Sequence, residues 1–383
     1  MGCLFVHTAD WQLGKPFAGI AGDSGALLRR ARFDAVRRIA EIASARGAAA
    51  VLVAGDCFDS PFPEEGTILK AADAMSPFGG PWVLLPGNHD PAEAGPLWDR
   101  LEHAARNLAT AKLDLRIARK GGTIRIDDAS LEILAAPLRH RHDPVDPTAW
   151  MATSERRPGL VRVGLAHGSV QGFGGDGEST FNRIDPRLPE MADLDYLALG
   201  DWHGTLGIGR RCWYSGTPEP DRFRSNEPGH ILVVEIDEPG ALPRIERVPT
   251  AECRWIEETL EHSGDAGALI ARVEAIVSGS TPADRLLLDL TLTGEIDIGG
   301  RARIEARIDE WRARLCHLRV HDGLIDRPSD EDLRELRLEG VAQAAASRLA
   351  AMAGNGEEEE DSEIARLALR RLYLMQHRIR ETG

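Results

Sequence analysis

A chain of 383 residues is long for one domain, and with 43% hydrophobic and 28% charged residues it has an ordinary globular balance that can bury a full core. A formal net charge of −15 argues against passive, charge-driven binding of nucleic acid, which needs a basic surface. It does not exclude a nuclease, because bound cations or a partner can supply positive charge. The cysteines Cys3, Cys57, Cys212, Cys253 and Cys316 form no CxxC pair, so neither a disulfide framework nor a zinc ribbon is indicated.

In chain order, Leu4 to Thr8 reads as a strand ending in Ala9-Asp10. No basic stretch precedes this apolar run and no run is long enough to cross a bilayer, so the expectation is a cytoplasmic protein without signal peptide or membrane segment. Ala26 to Arg46 has apolar residues at helical spacing, with Gly47 as a stop. Ala50 to Ala54 is a second strand ending in Gly55-Asp56, a helix around Ile68 to Met75 follows, and Trp82 to Leu85 is a third strand ending in Pro86-Gly87-Asn88-His89-Asp90. Strands are also predicted at Thr123–Ile126, Leu131–Ala135, Val161–Ala166 (then His167-Gly168) and Tyr196–Leu199 (then Gly200-Asp201-Trp202-His203). Cys212–Ser215 and Ile231–Ile236 read as closing strands, and two loops, Leu138–Pro147 and Gly172–Glu178, are rich in glycine, proline and charge. The pattern is that of a layered α/β domain over 1–249.

The character changes near Pro249. A small α+β unit, 250–323, holds a helix (Ala266–Ser278), an alternating strand (Leu286–Thr293), a second helix (Arg301–Arg314) and a strand (Cys316–Val320). The remainder, 324–383, reads as a helical tail that opens on an N-cap at Ser329 with Asp332. An acidic linker, Glu357–Asp361, interrupts it, and Ile364, Leu367, Ala368, Leu372, Met375 and Ile379 share one face of its last helix.

The polar residues just past the predicted strands are Asp10, Gln12, Asp56, Asn88, His89, His167, Asp201 and His203. Carboxylates, imidazoles and an amide oxygen are the ligands that metal chemistry on phosphate needs, and strand ends on one sheet edge are where open α/β sheets place sites. Asp, Asn and Gly also favour turns, so each motif alone is weak; five in order, each at a strand end, are not.

These motifs, Asp10-x-Gln12, Gly55-Asp56, Gly87-Asn88-His89-Asp90, His167-Gly168 and Gly200-Asp201-x-His203, resemble in order those of the calcineurin-like metallophosphoesterases. The wording His7-Thr8-Ala9-Asp10-Trp11-Gln12-Leu13-Gly14 and Ala54-Gly55-Asp56-Cys57-Phe58-Asp59 resembles the SbcD-like DNA-repair nuclease branch. The resemblance implies a metallophosphoesterase β-sandwich flanked by helices, with two divalent ions, usually Mn²⁺. Asp56 would bridge them. Asp10 and His203, with Gln12 nearby, would complete the first site, and Asn88, His167 and Asp201 the second. His89 would contact phosphate or protonate the leaving oxygen, its ring oriented by Asp90. Hydrolysis by metal-activated water follows, and no covalent serine or cysteine intermediate is indicated.

The resemblance further implies DNA as substrate, an SMC-like ATPase as partner docked on the tail, a homodimer, and a DNA-capping role for the small unit. Arg222 and Arg224 are candidate phosphate contacts. The family usually has His where Gln12 and Asp201 stand, which puts the first site in question. The competing readings are a small-molecule phosphatase or phosphodiesterase, and a scaffold subunit with weakened catalysis. Trp11 and Trp202 read as packing before base stacking, and His140 and His142 as exposed loop residues.

Overall fold

Central parallel strands are buried on both faces and so appear as short, unbroken apolar runs. In chain order β1 is Cys3–Thr8, β2 Val51–Val53, β3 Trp82–Leu84, β4 Leu115–Ile117, β5 Gly122–Ile126, β6 Leu131–Ala136 and β7 Val161–His167. They are followed by β8 Ser169–Val170, β9 Arg183–Ile184, β10 Tyr196–Gly200, β11 Leu206–Ile208, β12 Cys212–Tyr214, β13 His230–Ile236 and β14 Arg244–Pro249. The computed structural model describes residues 2–20, 22–108, 113–171, 181–224, 226–263, 265–279, 281–327, 338, 340–355 and 359–382. The expected loop 172–178, the N-cap at Ser329 with Asp332, and the start of the acidic run at 357–358 lie outside them.

The chain divides into two compact units, Met1–Cys253 and Arg254–Gly383. The first holds two six-stranded sheets, ordered β14-β13-β1-β2-β3-β4 and β11-β12-β10-β7-β6-β5. Phe5, Leu52, Val83, Ile133, Leu165, Ala198 and Val234 form one apolar layer between the sheets. The outer face of the first sheet, through Val6, Val51 and Leu84, packs under helices α1 (Gly22–Ala45), α2 (Glu65–Met75) and α3 (Leu97–Arg106). On the outer face of the second sheet, Leu134, Ala166, Leu197 and Leu199 pack with Met151 and with Leu188 of the short α4 (Leu188–Met191). The result is the layered β-sandwich expected, with an added edge strand: β14 pairs with β13, so Ile231–Ile236 does not close the sheet.

At the end of this unit the buried Glu219 carboxylate accepts hydrogen bonds from the Glu252 and Cys253 N–H groups, each at 2.8 Å. Burial pushes its pKa up to about 7, against the pull of those N–H groups and of Arg38 and Arg32.

In the second unit β15 (Arg254–Ser263), β16 (Leu286–Ile296) and β17 (His317–Asp326) form one parallel sheet. Parallel neighbours need crossovers, supplied by α5 (Ala266–Val277) and α6 (Ile298–Arg314). The Asp265 and Asp297 carboxylates cap their N-termini by accepting from Gly267 and Gly300 N–H. Leu286, Leu288, Leu290 and Leu292 bury one face of β16 against Leu269, Val273 and Trp311. Helices α7 (Gly340–Asn355) and α8 (Glu359–Thr382) follow.

One expectation for the tail is corrected. Glu359, Glu360 and Asp361 open α8 instead of forming a linker; acidic residues are favourable at a helix N-terminus. The buried positions of α8 include Ala365 and Leu369, whereas Ile364, Leu367 and Met375 are exposed.

Candidate metal centre

Three neighbouring parallel strands of one sheet, β1, β2 and β3, end beside β7 and β10 of the other. The loops that follow are zipped together by main-chain bonds: Asp10 N–H to Gly55 O (3.1 Å), Gln12 N–H to Asp56 O (2.8 Å) and Leu13 N–H to Cys57 O (2.9 Å). His167 lies opposite Gly200 in the β7–β10 register. Four of the expected ligand positions sit in left-handed backbone: Asp10 (φ 55°), Gln12 (φ 43°), Asp56 (φ 53°) and Asp201 (φ 102°). Such conformations cost about 1–3 kcal/mol each and persist only where the surroundings over-determine them, which makes the cluster a functional signal. Gly55 and Gly87 permit the approach of the loops: a Cβ at Gly55 would strike the His167 ring, and one at Gly87 the Asp56 carboxylate.

The side chains converge. Asp10, Asp56 and His167, all buried, offer donor atoms within 4.8 Å of one another. The His167 Nδ1–H donates to Ala54 O (2.8 Å), which turns Nε2 toward Asn88 Oδ1 (3.0 Å), Asp56 Oδ1 (3.5 Å) and Asp201 Oδ1 (3.9 Å). Fixing the far nitrogen to a carbonyl is how a ligating histidine is oriented. Asp56 Oδ1 accepts from the His89 N–H (2.9 Å). Asp10 Oδ1 accepts from Asp201 N–H (3.1 Å), and Asp201 Oδ2 from Ser169 Oγ (2.8 Å).

The electrostatics are those of an acid cluster in want of a cation. Burial lifts the Asp10 carboxyl to about 6; His203 and His167 oppose the rise, and the Asp56 and Asp201 charges add to it. Burial alone would discharge His167, yet Asp56, Asp10 and Asp201 outweigh it and hold the imidazole at about 9. Buried oxygen donors with one imidazole fit a hard or borderline divalent ion.

The Gln12 side is built differently. Lys15 Nζ donates to Gln12 Oε1 (2.9 Å) and Asp221 Oδ2 (2.5 Å). Gln12 Nε2 lies 3.3 Å from His203 Nε2, and His203 Nδ1 lies 3.2 Å from Asp221 Oδ1. Arg222 contacts Asp221 through Nε (3.1 Å), and its Nη2 lies 3.2 Å from His203 Nδ1. Burial alone would raise the Asp221 carboxyl, but hydrogen bonds from His203 and Arg222, with the Arg32 charge, hold it well below the usual carboxylate range. Arg224 is exposed.

Asp90 is not the partner of the His89 ring. Its buried carboxylate accepts from Gly87 N–H (2.7 Å) and Phe58 N–H (3.0 Å), pinning the backbone of two motif loops, and burial with the Asp56 charge pushes it to about 7. The His89 ring is oriented by Nδ1–H to Asp59 O (2.9 Å). Trp11 is buried, donates to Thr8 Oγ1 (3.0 Å) and packs edge-on against Trp82; Trp202 is half-buried beside the apolar layer outside the second sheet. His140 and His142 are exposed, the first 3.7 Å from Glu93 and the second with its ring tilted against that of Phe181.

Sequence reading missed Lys15, Asp59, Asp221 and Arg32. The guanidinium of Arg32 is buried and donates to Trp11 O (2.6 Å), Asp10 O (3.1 Å), Glu219 O (3.0 Å) and Thr217 Oγ1 (3.1 Å). A signal for it existed: Arg32 lies one helical step from Leu28 and Val36, on the apolar face of α1.

The family model described as calcineurin-like phosphoesterase matches residues 4–205. The SbcD component of the nuclease SbcCD from Bacillus subtilis (strain 168) is 27% identical over 292 residues, which cover 68% of this chain and 70% of that protein. A solved structure, TT1561 of Thermus thermophilus, aligns with a TM-score of 0.38 at 12% identity over 65% of this chain and all of that one, too loose a likeness to carry an argument.

Proposed function

Because this chain belongs to the calcineurin-like phosphoesterase family, whose model spans residues 4–205, we propose that it is a metal-dependent nuclease that hydrolyses phosphodiester bonds in DNA. The observation that carries the reading is the convergence of Asp10, Asp56 and His167 within 4.8 Å, with Asn88 and Asp201 turned to the same point. By family precedent two divalent ions, Mn²⁺ being the usual metal, would be held by Asp56 together with Asp10, Gln12 and His203 and with Asn88, His167 and Asp201. When bound, such ions polarise a phosphoryl oxygen and acidify water near neutral pH.

The chain's own residues do the rest. The His89 N–H holds the Asp56 carboxylate, so the loop that presents the imidazole also fixes the central ligand. With Nδ1–H committed to Asp59 O, the other ring nitrogen of His89 is available to contact the scissile phosphate or, when protonated, to give a proton to the leaving oxygen. Arg222, anchored on Asp221, is a phosphate contact beside the cluster. Asp90 keeps the Gly87 and Phe58 amides, and hence both loops, in place.

Likeness to a named nuclease component supports DNA as substrate and a partner subunit, which on this reading is an SMC-like ATPase; a homodimer as the working form is part of the same proposal. On this reading 1–249 is catalytic, 250–323 caps the DNA, and 324–383 docks the partner through the exposed Ile364, Leu367 and Met375. No helix among the described residues is long and apolar enough to cross a membrane; a cytoplasmic location is part of the proposal.

The test compares cleavage of linear and circular single-stranded DNA with that of a small aryl phosphodiester, in Mn²⁺, for wild type and Asp56→Ala. Metal-dependent DNA cleavage lost in the variant is expected. Turnover of the small ester without DNA cleavage would replace the nuclease with a small-molecule phosphodiesterase, and full activity of Asp56→Ala would remove the assignment.

A further inference from the structure

The Lys15–Gln12–His203–Asp221 chain contains its own proton assignment. An ammonium can only donate, so the Gln12 atom 2.9 Å from Lys15 Nζ must be the amide oxygen. That fixes the amide orientation and turns its NH₂ group to His203 Nε2 at 3.3 Å. His203 must accept there, so Nε2 carries the lone pair and Nδ1 the proton, which points at Asp221 Oδ1 3.2 Å away. The Arg222 Nη2 at 3.2 Å from Nδ1 then makes no bond to that nitrogen and belongs to its pairing with Asp221.

Both atoms that could hold an ion on this side, Gln12 Oε1 and His203 Nε2, are therefore consumed inside the protein. An independent observation agrees: among the described residues, the acids and imidazoles that converge closely enough for one ion are Asp10, Asp56 and His167, and His203 is not with them. Nor is the lysine pair a loose surface contact. The Asp221 side chain is 1% exposed and that of Lys15 22%.

We propose that Lys15 sets the metal count of this centre: its ammonium holds Gln12 and His203 closed, so the resting chain takes one divalent ion, at Asp10, Asp56, Asn88, His167 and Asp201. A second ion binds only by displacing Lys15, whose ammonium bridges Gln12 and Asp221 on that side. The inference rests on the metal-dependent reading above and narrows its two-ion form. It makes Lys15 a positioning residue and Gln12 the link through which its ammonium orients His203.

The experiment is a Mn²⁺ titration of the metal-stripped, full-length chain, followed by calorimetry and by electron paramagnetic resonance. Wild type is expected to bind one ion tightly, with the six-line spectrum of an isolated Mn²⁺, and a second at least about tenfold more weakly, since the ion would meet the lysine charge at close range. Lys15→Met keeps the stem and removes the charge. It should bind the second ion about tenfold or more tightly than wild type does and show the spin coupling of two neighbouring ions. Lys15→Gln should do the same, which guards against misfolding of either variant; circular dichroism and retention of the first ion check the fold. Two equally tight, coupled ions in wild type would overturn the proposal, as would folded lysine variants that still bind one. Neither result touches the metal-dependent reading, whereas a wild type that binds no Mn²⁺ would overturn both.

Discussion

Replacing Arg32 with Met should loosen the metal centre without touching any ligand. The methionine retains the apolar stem but withdraws four hydrogen bonds, three of them to the main-chain carbonyls of Asp10, Trp11 and Glu219. Glu219 O keeps a bond from Thr217 Oγ1, so two buried carbonyls, Asp10 O and Trp11 O, lose the partner described for them. At ~1–3 kcal/mol per stranded group the loss is about 2–6 kcal/mol. Part is returned because a guanidinium whose pKa burial pulls down no longer has to be desolvated. About 3 kcal/mol of local stability should disappear, or roughly two orders of magnitude in the opening equilibrium of the segment.

Asp10 and Gln12 hold left-handed backbone only because that segment is tied down, so they should relax first. Amide exchange of a peptide covering residues 9–14 is the assay, with Mn²⁺ affinity beside it. Exchange should accelerate about a hundredfold and affinity should fall. Arg32→Lys, which reaches fewer of the four acceptors, should lie between. Exchange within a few-fold of wild type, with unchanged affinity, would refute the clamp.

His89→Ala should keep its metal while turnover drops by about 10²–10⁴, the range of a lost general acid; loss of metal would move His89 into the ligand set. A pH effect follows from His167, whose folded pKa of about 9 lies above its ordinary 6.5. Stabilisation by its charged form is complete below 6.5 and lost as pH rises to 9, and Asp90, an acid raised to about 7, loses stability in the same direction. Buried His7, held down near 3, is neutral in the folded state throughout, and its unfolded form finishes losing its proton just above 6.5, so its opposing effect is confined to the low edge of this window. Melting of the metal-free chain should therefore fall between pH 6.5 and 9, and Mn²⁺, supplying the positive charge itself, should flatten the curve. A metal-free profile that is level or rises would contradict this.

The strand ends were legible because β2, β3 and β10 are buried on both faces and leave short apolar runs stopped by Gly-Asp or Pro-Gly. What escaped were elements with one wet face. In β4 only three residues pair and Arg116 interrupts them; β14 alternates charges along a sheet edge; Glu257, Glu258 and Glu261 hide the ten residues of β15. The ligand candidates could be found by order and type, since each follows its own strand. Their supports could not. Lys15 meets Asp221 across 206 positions and Arg32 meets Glu219 across 187, and no local pattern encodes such a meeting. Asp90 shows the limit from the other side: adjacency to His89 suggested a ring contact, but a carboxylate that is fully buried needs donors, and the nearest were the Gly87 and Phe58 amides.

The Glu219 carboxylate decides where the first unit can be cut free. Its partners, the amides of Glu252 and Cys253, are the last two residues before the boundary. A chain ended at Pro249, where composition changes, would lose both amides and leave a nearly buried acid with Arg38 and the Arg32 charge as its remaining support. One ended after Cys253 keeps them. Excision four residues later, a difference invisible in the hydropathy of the sequence, separates a fragment with an orphaned buried carboxylate from one whose last turn is stitched to the loop that carries Asp221 and Arg222.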